Sequence, residues 1–225
     1  MQIFILNGGL GKRVREFSYN KPKCLINFNK KPFIYYQLKL LKKKGINKIC
    51  LCLGYKSKEI IRYLKKNPKL SKNINYITEN KKLNTGGALL NAQKYMSYYF
   101  LVTFGDSYLN VNYKKILNYF KKKNYSGLIT VIKKNKIPYH EPNLLIKKNK
   151  IISYKECKNF NFIDYGLMAF KKNVFLGKSV KKIPLSKIIK KLIKDDDICF
   201  IEINKKFNEI GSKYGIENFK KFISK

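Results

Sequence analysis

The sequence predicts an α/β fold: a Rossmann-like, mostly parallel sheet flanked by helices, with a more antiparallel C-terminal part. Two observations support this. In the first 120 or so residues, short apolar runs alternate with helical patterns and form four βα units, which is typical of a parallel sheet. Later apolar runs flank the turn Lys148-Asn149, which predicts a hairpin. Ligands of such sheets bind beyond the carboxyl ends of the strands, so we expect the functional residues in those loops.

The strands of the first half are apolar runs that end at glycines or polar residues. They are predicted at residues 2–7, 48–53, 74–78 and 98–104. The first long helix begins at Pro32, a residue favoured at a helix start, and its apolar residues recur at helical spacing as Ile34, Leu38 and Leu41. A second helix is predicted over residues 57–66, and a third begins at Gly86-Gly87.

The second half contains fewer βα repeats and more strand pairing. Its predicted elements are a helix at 113–122, a strand at 127–133, a hairpin at 144–154, a strand at 162–170, a helix at 185–194, a strand at 198–203 and a final helix from about residue 214. No repeat or flexible linker interrupts the chain. We therefore expect a single domain over residues 1–225 that divides near residue 110 into residues 1–110 and 111–225.

The charge is strongly basic, with 50 Lys and Arg against 13 Asp and Glu and a net charge of +37. Such a charge usually indicates nucleic acid or an anionic membrane as partner. However, the only arginines are Arg13, Arg15 and Arg62, and the lysines are spread along the whole chain. This pattern favours compositional drift over specific nucleic-acid recognition, while steering of an anionic substrate and a true nucleic-acid surface remain alternatives.

The apolar runs and the cysteines predict a cytoplasmic protein. No apolar run approaches the ~18 residues that span a bilayer, and the N-terminus lacks the pattern of a secretory signal. The five cysteines are odd in number and scattered, as expected for reduced thiols. Cys50 and Cys52 lie in an apolar strand and are predicted to pack in the core. We expect His140, beside two prolines, to lie in a loop.

The first strand leads into the glycine-rich turn Asn7–Arg13, whose sequence is NGGLGKR. Glycines after a buried strand let backbone amides approach an anion, and adjacent cations neutralise phosphate charge. The spacing matches neither the phosphate-binding loop GxxxxGK[ST] nor the dinucleotide fingerprint GxGxxG. Taken alone, this segment is equally consistent with an ordinary turn.

Four further motifs follow in order: Pro22-Lys23, the segment LNTGGA at residues 83–88, Gly105-Asp106 and Glu209-Ile210-Gly211. With this set, the chain resembles the sugar-1-phosphate nucleotidyltransferases (NDP-sugar pyrophosphorylases). It is most similar to the D-glycero-D-manno-heptose 1-phosphate guanylyltransferase type, through GGLGKR, TGGALLNA and the late Glu-Ile-Gly. The resemblance extends over about 210 residues. It implies the nucleotide-diphospho-sugar transferase fold, with residues 1–110 as the NTP-binding half and residues 111–225 as the acceptor half.

The resemblance also implies a reaction and a set of site residues. A sugar 1-phosphate attacks the α-phosphorus of an NTP, and pyrophosphate leaves. The implied catalytic residues are Arg13, Lys23 and Asp106, and Asp106 and Glu209 are implied to hold Mg²⁺. The residues implied to bind the nucleotide are Leu6, Gly8, Gly9, Gly11, Lys12, Arg13, Lys23, Glu79, Thr85, Gly86 and Gly87. Those implied to bind the sugar are Gly105, Glu156, Asp164 and Gly166.

The base is predicted from Glu79. A carboxylate there accepts hydrogen bonds from two adjacent donors of guanine but from only one donor of uracil, so GTP is favoured, with CTP and UTP as alternatives. The chain departs from the family pattern at Lys12, at Cys157 and at Pro142-Asn143. Because the last two belong to the acceptor side, the acceptor is less constrained than the reaction.

Two other functions stay open at this stage. One is cytidylyl or uridylyl transfer to another phosphorylated acceptor, and the other is a non-catalytic module that binds anionic ligands or nucleic acid. We expect no specific nucleic-acid partner and no membrane association, and the sequence leaves an oligomer open.

Overall fold

The strands and helices belong to two contact units, each with its own buried side chains. The computed structural model describes residues 1–155 and 159–224. The first unit comprises Met1–Lys82, Thr103–Asn110 and Phe207–Lys225, and the second comprises Leu83–Val102 and Val111–Lys206. The chain therefore passes between the units at four places, a finer division than the two halves predicted around residue 110.

In chain order, strands β1 to β13 are Gln2–Asn7, Asn27–Phe28, Lys31–Pro32, Lys48–Leu53, Ile74–Thr78, Tyr99–Phe104, Ser107–Tyr108, Gly127–Lys133, Leu144–Lys147, Lys150–Tyr154, Phe162–Lys171, Ile198–Glu202 and Asn208–Glu209. Helices α1 to α8 are Arg15–Ser18, Phe33–Lys43, Ser57–Lys65, Pro68–Ser71, Asn84–Asn91, Tyr113–Lys121, Leu185–Lys194 and Lys213–Ile223. The predicted long elements are present, most of them within one residue of the expected bounds. The helix predicted to begin at Gly86 instead begins two residues earlier, at Asn84.

The first unit is built on parallel strands. Strand β1 pairs in parallel with β4, and β4 pairs in parallel with β5. Strands covered on both faces are apolar along their whole length, and residues 49–53 of β4 are all buried. Helix α2 buries Ile34, Leu38 and Leu41, as its spacing predicted. The carboxyl end of β6 lies beside β1, since Gly105 N donates to the Leu6 carbonyl at 3.0 Å.

An aromatic cluster holds helix α8 within the first unit. The ring of Phe219 in α8 lies 4.8 Å from that of Phe28 and 5.0 Å from that of Phe33, centre to centre. All three rings are buried, together with Ile210 at the entry to the helix. Buried aromatic side chains contribute large apolar areas, so this cluster fixes the chain on either side of Gly211.

The second unit combines parallel and antiparallel pairs. Strand β8 pairs antiparallel with β11 and parallel with β12. The predicted hairpin is present as β9 and β10. Its two turn residues, Lys148 and Asn149, both have positive φ angles of 45° and 58°, as a two-residue hairpin turn requires. The prediction of a mostly parallel sheet with a more antiparallel C-terminal part is therefore confirmed.

Candidate functional site

Asp106 lies with Gly105 in the turn between β6 and β7. The buried side chain of Gln37 in α2 fixes this turn, because its Nε2 donates to the carbonyls of Phe104 and Ser107 at 2.9 and 2.8 Å. Asp106 Oδ2 accepts from Lys23 Nζ at 2.5 Å. The two side chains are 22% and 20% exposed, so the ion pair is open to solvent on one side. Two of the three predicted catalytic residues are thus in direct contact.

Glu209 reaches the same place by a route that the sequence did not predict. From the sequence, one route was conceivable: if the strands at 98–104 and 198–203 lay in one sheet and pointed the same way, their carboxyl ends would bring the two acids to one rim. Instead, Glu209 lies in β13, which pairs antiparallel with β7 so that Glu209 faces Ser107. The Ile210 amide also donates to the Asp106 carbonyl at 2.9 Å. A two-residue strand produces little sequence pattern, which explains why this pairing was not predicted.

Gly211 marks the point where the three charged groups converge. A Cβ atom on Gly211 would lie 2.8 Å from Glu209 Oε2, 2.9 Å from Asp106 Oδ2 and 3.6 Å from Lys23 Nζ. Any side chain at this position would collide with both carboxylates. The absence of a side chain at residue 211 therefore lets the two acids and the lysine surround one small volume.

The Glu209 carboxylate is held in place by its own loop. Oε2 accepts from the Gly211 amide, and Oε1 accepts from the Ser212 hydroxyl. Ser212 is also the N-cap of α8, where its Oγ accepts from the Gly215 amide at 3.0 Å. Sequence analysis did not single out Ser212 or Gln37, although a serine just before a helix is a recognisable cap signal.

The two carboxylates suit a magnesium ion. Mg²⁺ prefers oxygen ligands, and it is usually held by one or two carboxylates together with substrate phosphates and water. Asp106 Oδ2 and Glu209 Oε2 supply two such oxygens around the same volume. Across residues 1–155 and 159–224, no group of three or more His, Cys, Asp or Glu side chains could hold a metal by protein ligands alone. Water or the phosphate oxygens of a ligand would complete the coordination of an ion held there.

The glycine-rich turn lies beside Lys23. Gly11 has a φ of 63°, a conformation that favours glycine, and a Cβ on it would lie 3.5 Å from Cβ of Lys23. Residues 12–14 form a short 3-10 helix that is anchored by the buried Val14. Gly9 and Arg13 are exposed. The turn therefore places the Gly11 backbone beside Lys23 of the Lys23–Asp106 pair, and it carries the exposed side chain of Arg13.

Glu79 lies at the carboxyl ends of three parallel strands. It follows β5, and its amide donates to the Leu53 carbonyl at the end of β4 at 3.0 Å. Its Oε1 would be 3.2 Å from a Cβ on Gly8 and would overlap a Cβ on Gly54. The carboxylate thus rests against two glycines, of which Gly54 was not predicted. Leu6 is buried, and its carbonyl is already bonded to Gly105.

The predicted nucleotide residues Thr85, Gly86 and Gly87 lie in helix α5 of the second unit. Thr85 Oγ1 accepts from the Leu185 amide at 2.9 Å. The amides of Gly86 and Gly87 both donate to the Ile183 carbonyl at 2.9 Å. A Cβ on Gly87 would overlap the Lys181 carbonyl. Close packing against residues 181–185 accounts for the two glycines, and their contact with a nucleotide stays a prediction.

Asp164, a predicted sugar-binding residue, has both carboxylate oxygens bonded within the second unit. Oδ2 accepts from Tyr154 Oη at 2.7 Å, and Oδ1 accepts from the Gly166 amide at 2.9 Å. Burial raises the pKa of Asp164 despite these bonds. Gly166 has a φ of 89°. Another predicted sugar-binding residue, Glu156, and its neighbour Cys157 lie outside the described residues.

The described cysteines have the buried character that was predicted for Cys50 and Cys52. Cys24, Cys50 and Cys52 are all buried free thiols, and Cys199 is half-buried. Burial raises the pKa of both Cys24 and Cys50 to about 12. Such thiols stay protonated at neutral pH and pack as apolar groups. His140 lies in a bend between strands, as expected.

A known family matches the part of the chain that contains most of the candidate site. The family model described as nucleotidyl transferase aligns with residues 3–142, which include the glycine-rich turn, Lys23, Glu79 and Asp106. The chain belongs to this family. The predicted resemblance to the nucleotidyltransferases is therefore confirmed.

Several nucleotidyltransferase relatives are similar over most of the chain. The bifunctional protein GlmU of Methanococcus maripaludis is 31% identical over an alignment of 230 positions that covers 96% of this chain and 53% of GlmU. The D-glycero-alpha-D-manno-heptose 1-phosphate guanylyltransferase of Campylobacter jejuni is 30% identical over 178 residues, 78% of each protein. The chain thus spans about half the length of the GlmU relatives that it matches.

Solved structures of the same family have the same fold. HddC from Yersinia pseudotuberculosis, solved in complex with GMP-PN, matches with a TM-score of 0.83 and 26% identity, covering 99% of both chains. Within the described part of the chain, every helix is too short or too polar to span a bilayer.

Proposed function

We propose that this chain transfers a nucleoside monophosphate, with GTP favoured as its donor, to a sugar 1-phosphate and releases pyrophosphate. The observation that carries the proposal is the convergence of Lys23, Asp106 and Glu209 around Gly211, next to the glycine-rich turn. Phosphoryl transfer needs little covalent help from a protein, because it is accelerated mainly by positioning and by charge neutralisation. This arrangement supplies both.

Different protein groups bind different phosphates of the NTP. Backbone amides of residues 8–11 bind phosphate oxygens, and Arg13, which is exposed at the end of the turn, holds the β- and γ-phosphates. Lys23 moves from the Asp106 carboxylate towards the α-phosphate and stabilises the negative charge that builds there. An ammonium on a flexible side chain suits this change of partner.

Asp106 and Glu209 would hold Mg²⁺, and the ion would supply charge neutralisation between the α-phosphate and the acceptor phosphate. The Gly211 amide and the Ser212 hydroxyl orient Glu209 for this role. Asp106 is oriented by the turn that Gln37 fixes. The two carboxylate oxygens around Gly211 are the observation that supports magnesium.

Guanine is supported by two observations. The carboxylate of Glu79 rests on Gly8 and Gly54 at the ends of β1 and β4, where it can accept from N1–H and N2–H of guanine together. In addition, relatives at about 30% identity are named as guanylyltransferases, and HddC was solved with GMP-PN. The same relatives favour a heptose- or hexose-type acceptor, with Asp164 and Gly166 near its hydroxyls.

The test is a matrix assay of the purified protein. Each of the four NTPs is incubated with Mg²⁺ and a panel of sugar 1-phosphates that includes mannose, glucose and manno-heptose types, and pyrophosphate is measured. We expect release that requires both substrates and is fastest with GTP. Release that is equally fast without any acceptor would indicate NTP hydrolysis and would contradict the transfer reaction.

A further inference from the structure

Asn7, the last residue of β1, carries a buried donor that the protein does not use. Its Nδ2 is shielded from solvent and has no hydrogen-bond partner among the residues that the structure describes. A buried amide without a partner is costly, because it loses its bonds to water and gains none in return. A bound ligand can supply the missing acceptor.

The amide of Asn7 is directed towards the turn that carries Asp106. A Cβ atom on Gly105 would overlap Asn7 Oδ1 and would lie 2.8 Å from Nδ2. Only a glycine at residue 105 therefore leaves room for this side chain. The neighbouring main chain is fixed, since the Gly105 amide bonds to the Leu6 carbonyl. The donor thus has a defined place between β1 and Asp106.

The order of groups along the strand ends indicates what meets this donor. Glu79 follows β5 and touches Gly8 at the end of β1, whereas Asp106 follows β6 on the other side of β1. Asn7 lies between the residue proposed to read the base and the residue proposed to act at the α-phosphate. In a nucleoside triphosphate, the ribose joins those two parts.

We infer that Asn7 Nδ2 donates a hydrogen bond to a ribose hydroxyl of the bound nucleotide and so selects ribonucleotides over deoxynucleotides. The inference rests on the proposed function, since it takes the placement of base and α-phosphate from it. An uncharged amide donor suits a hydroxyl oxygen, and a site that hydrogen-bonds a hydroxyl discriminates against the analogue that lacks it. Asn7 is then a specificity-determining residue, distinct from the phosphate-binding cations.

The experiment compares wild type and Asn7→Ala with GTP, 2′-deoxy-GTP and 3′-deoxy-GTP, or with the same set of the base that the wild type prefers. Dissociation constants are measured by calorimetry without acceptor, and kcat/KM by pyrophosphate release. We expect one deoxynucleotide to bind wild type about 5- to 10-fold more weakly, as for one lost hydrogen bond. Asn7→Ala should weaken GTP by a similar factor and bring the ribo-to-deoxy ratio close to one.

Controls separate this inference from the proposed function. Asn27→Ala, at an exposed position of the same unit, should leave the ribo-to-deoxy ratio unchanged, both in dissociation constants and in kcat/KM. If Asn7→Ala does not fold, as judged by its thermal unfolding, Asn7→Ser keeps a shorter donor and serves instead, with a reduced ratio expected. An unchanged ribo-to-deoxy ratio in the variant overturns the ribose assignment, as does an effect confined to KM of the sugar 1-phosphate. Failure of the proposed function would give a different result, since wild type would then bind the nucleotide but release no pyrophosphate. In that case the dissociation constants measured by calorimetry still decide the role of Asn7.

Discussion

Lys23 Nζ donates to Asp106 Oδ2 at 2.5 Å, so the proposed α-phosphate ligand and the proposed metal ligand neutralise each other in the free protein. The pair is about one-fifth exposed, which limits its contribution to folding because solvent screens the attraction. The ion pair mainly positions the two side chains. It holds both at the edge of the site until a nucleotide and a metal ion separate them.

Replacing Asp106 by Asn is expected to reduce turnover with little effect on folding. Asparagine retains an oxygen that can accept from Lys23 but lacks the charge that binds a cation. We expect kcat to fall at least ~10²-fold, the usual cost of losing a charged group at a transferring phosphate. Pyrophosphate release measures the effect, and thermal unfolding checks the fold. Glu217→Gln, an exposed acid in α8, is the matched control and should behave as wild type. Near-normal turnover by Asp106→Asn would refute the proposed role.

Glu209 is expected to act through its orientation as well as its charge. In Glu209→Gln, the amide group cannot accept from both the Gly211 amide and the Ser212 hydroxyl, so one donor is left unpaired. We expect a loss of about 1–3 kcal/mol in the free energy of unfolding, together with a fall in kcat. Urea unfolding and pyrophosphate release measure the two effects.

Ser212→Ala separates the two contributions of this loop. It removes one bond to Glu209 and the cap of α8 but retains the carboxylate, and the missing cap should cost about 1 kcal/mol of stability. If Glu209 binds the metal, Ser212→Ala should raise the Mg²⁺ concentration needed for half-maximal rate, while saturating Mg²⁺ restores turnover. Normal turnover by Glu209→Gln would make the residue a structural one.

The parts of the fold that follow from periodicity could be predicted from the sequence. The strand at 48–53 and the helix at 185–194 have the predicted bounds because their apolar residues repeat at a clear period. The pair of β7 and β13 could not be predicted, since each strand has two residues and their pairing joins segments about a hundred positions apart. This pair, rather than the main sheet, brings Glu209 to Asp106.

In the candidate site, too, some residues could be predicted from the sequence and others could not. Lys23 and Asp106 could be identified because each belongs to a short motif with a fixed neighbour. Asn7 begins the glycine-rich turn but was given no role of its own, and Gln37 and Gly54 belong to no motif. Their roles depend on distances that arise only when β1, β4 and the turn after β6 are adjacent. For Thr85–Gly87 the structure adds a packing role that the motif did not suggest.

The buried cysteines are expected to make the protein less stable at alkaline pH. Burial raises the pKa of Cys50 to about 12, above its ordinary value of 9.0, so the unfolded chain loses this proton at a lower pH than the folded chain. The stability that this thiol contributes is complete below pH 9 and decreases as the pH rises towards 12. Urea unfolding at pH 7.5 and 10.5 should show a smaller decrease for Cys50→Val than for wild type. Equal decreases would contradict the pKa shift.

The high positive charge is expected to produce only unspecific nucleic-acid binding. Lysines that contact phosphates release counterions, so the affinity should fall steeply with salt and depend little on sequence. Fluorescence anisotropy with labelled duplexes of unrelated sequence, at 50 and 200 mM salt, tests this. Tight binding of one sequence at the higher salt, with a scrambled sequence much weaker, would instead support a nucleic-acid-binding module.

Base selection should depend on Glu79 and on the glycine beneath it. In Glu79→Gln, an acceptor is exchanged for a donor that faces the donors of guanine, a mismatch worth about 1–3 kcal/mol. The ratio of kcat/KM for GTP to that for UTP should therefore fall by about 5-fold or more, and it is measured from pyrophosphate release with each NTP. If wild type uses UTP or CTP better than GTP, the guanine assignment is wrong, although transfer itself would stand.

Gly54→Ala gives an independent test of the same contact. Its Cβ would overlap Glu79 Oε1 and lie 2.9 Å from the Cα of Gly8, so the carboxylate must move away from the strand ends. The charge is retained, and the GTP-to-UTP ratio should nevertheless fall in the same direction as in Glu79→Gln. Asn27→Ala, at an exposed position of the same unit, is the control and should leave the ratio unchanged. A fall in the ratio for Glu79→Gln but not for Gly54→Ala would show that charge at residue 79, rather than its position against Gly8, selects the base.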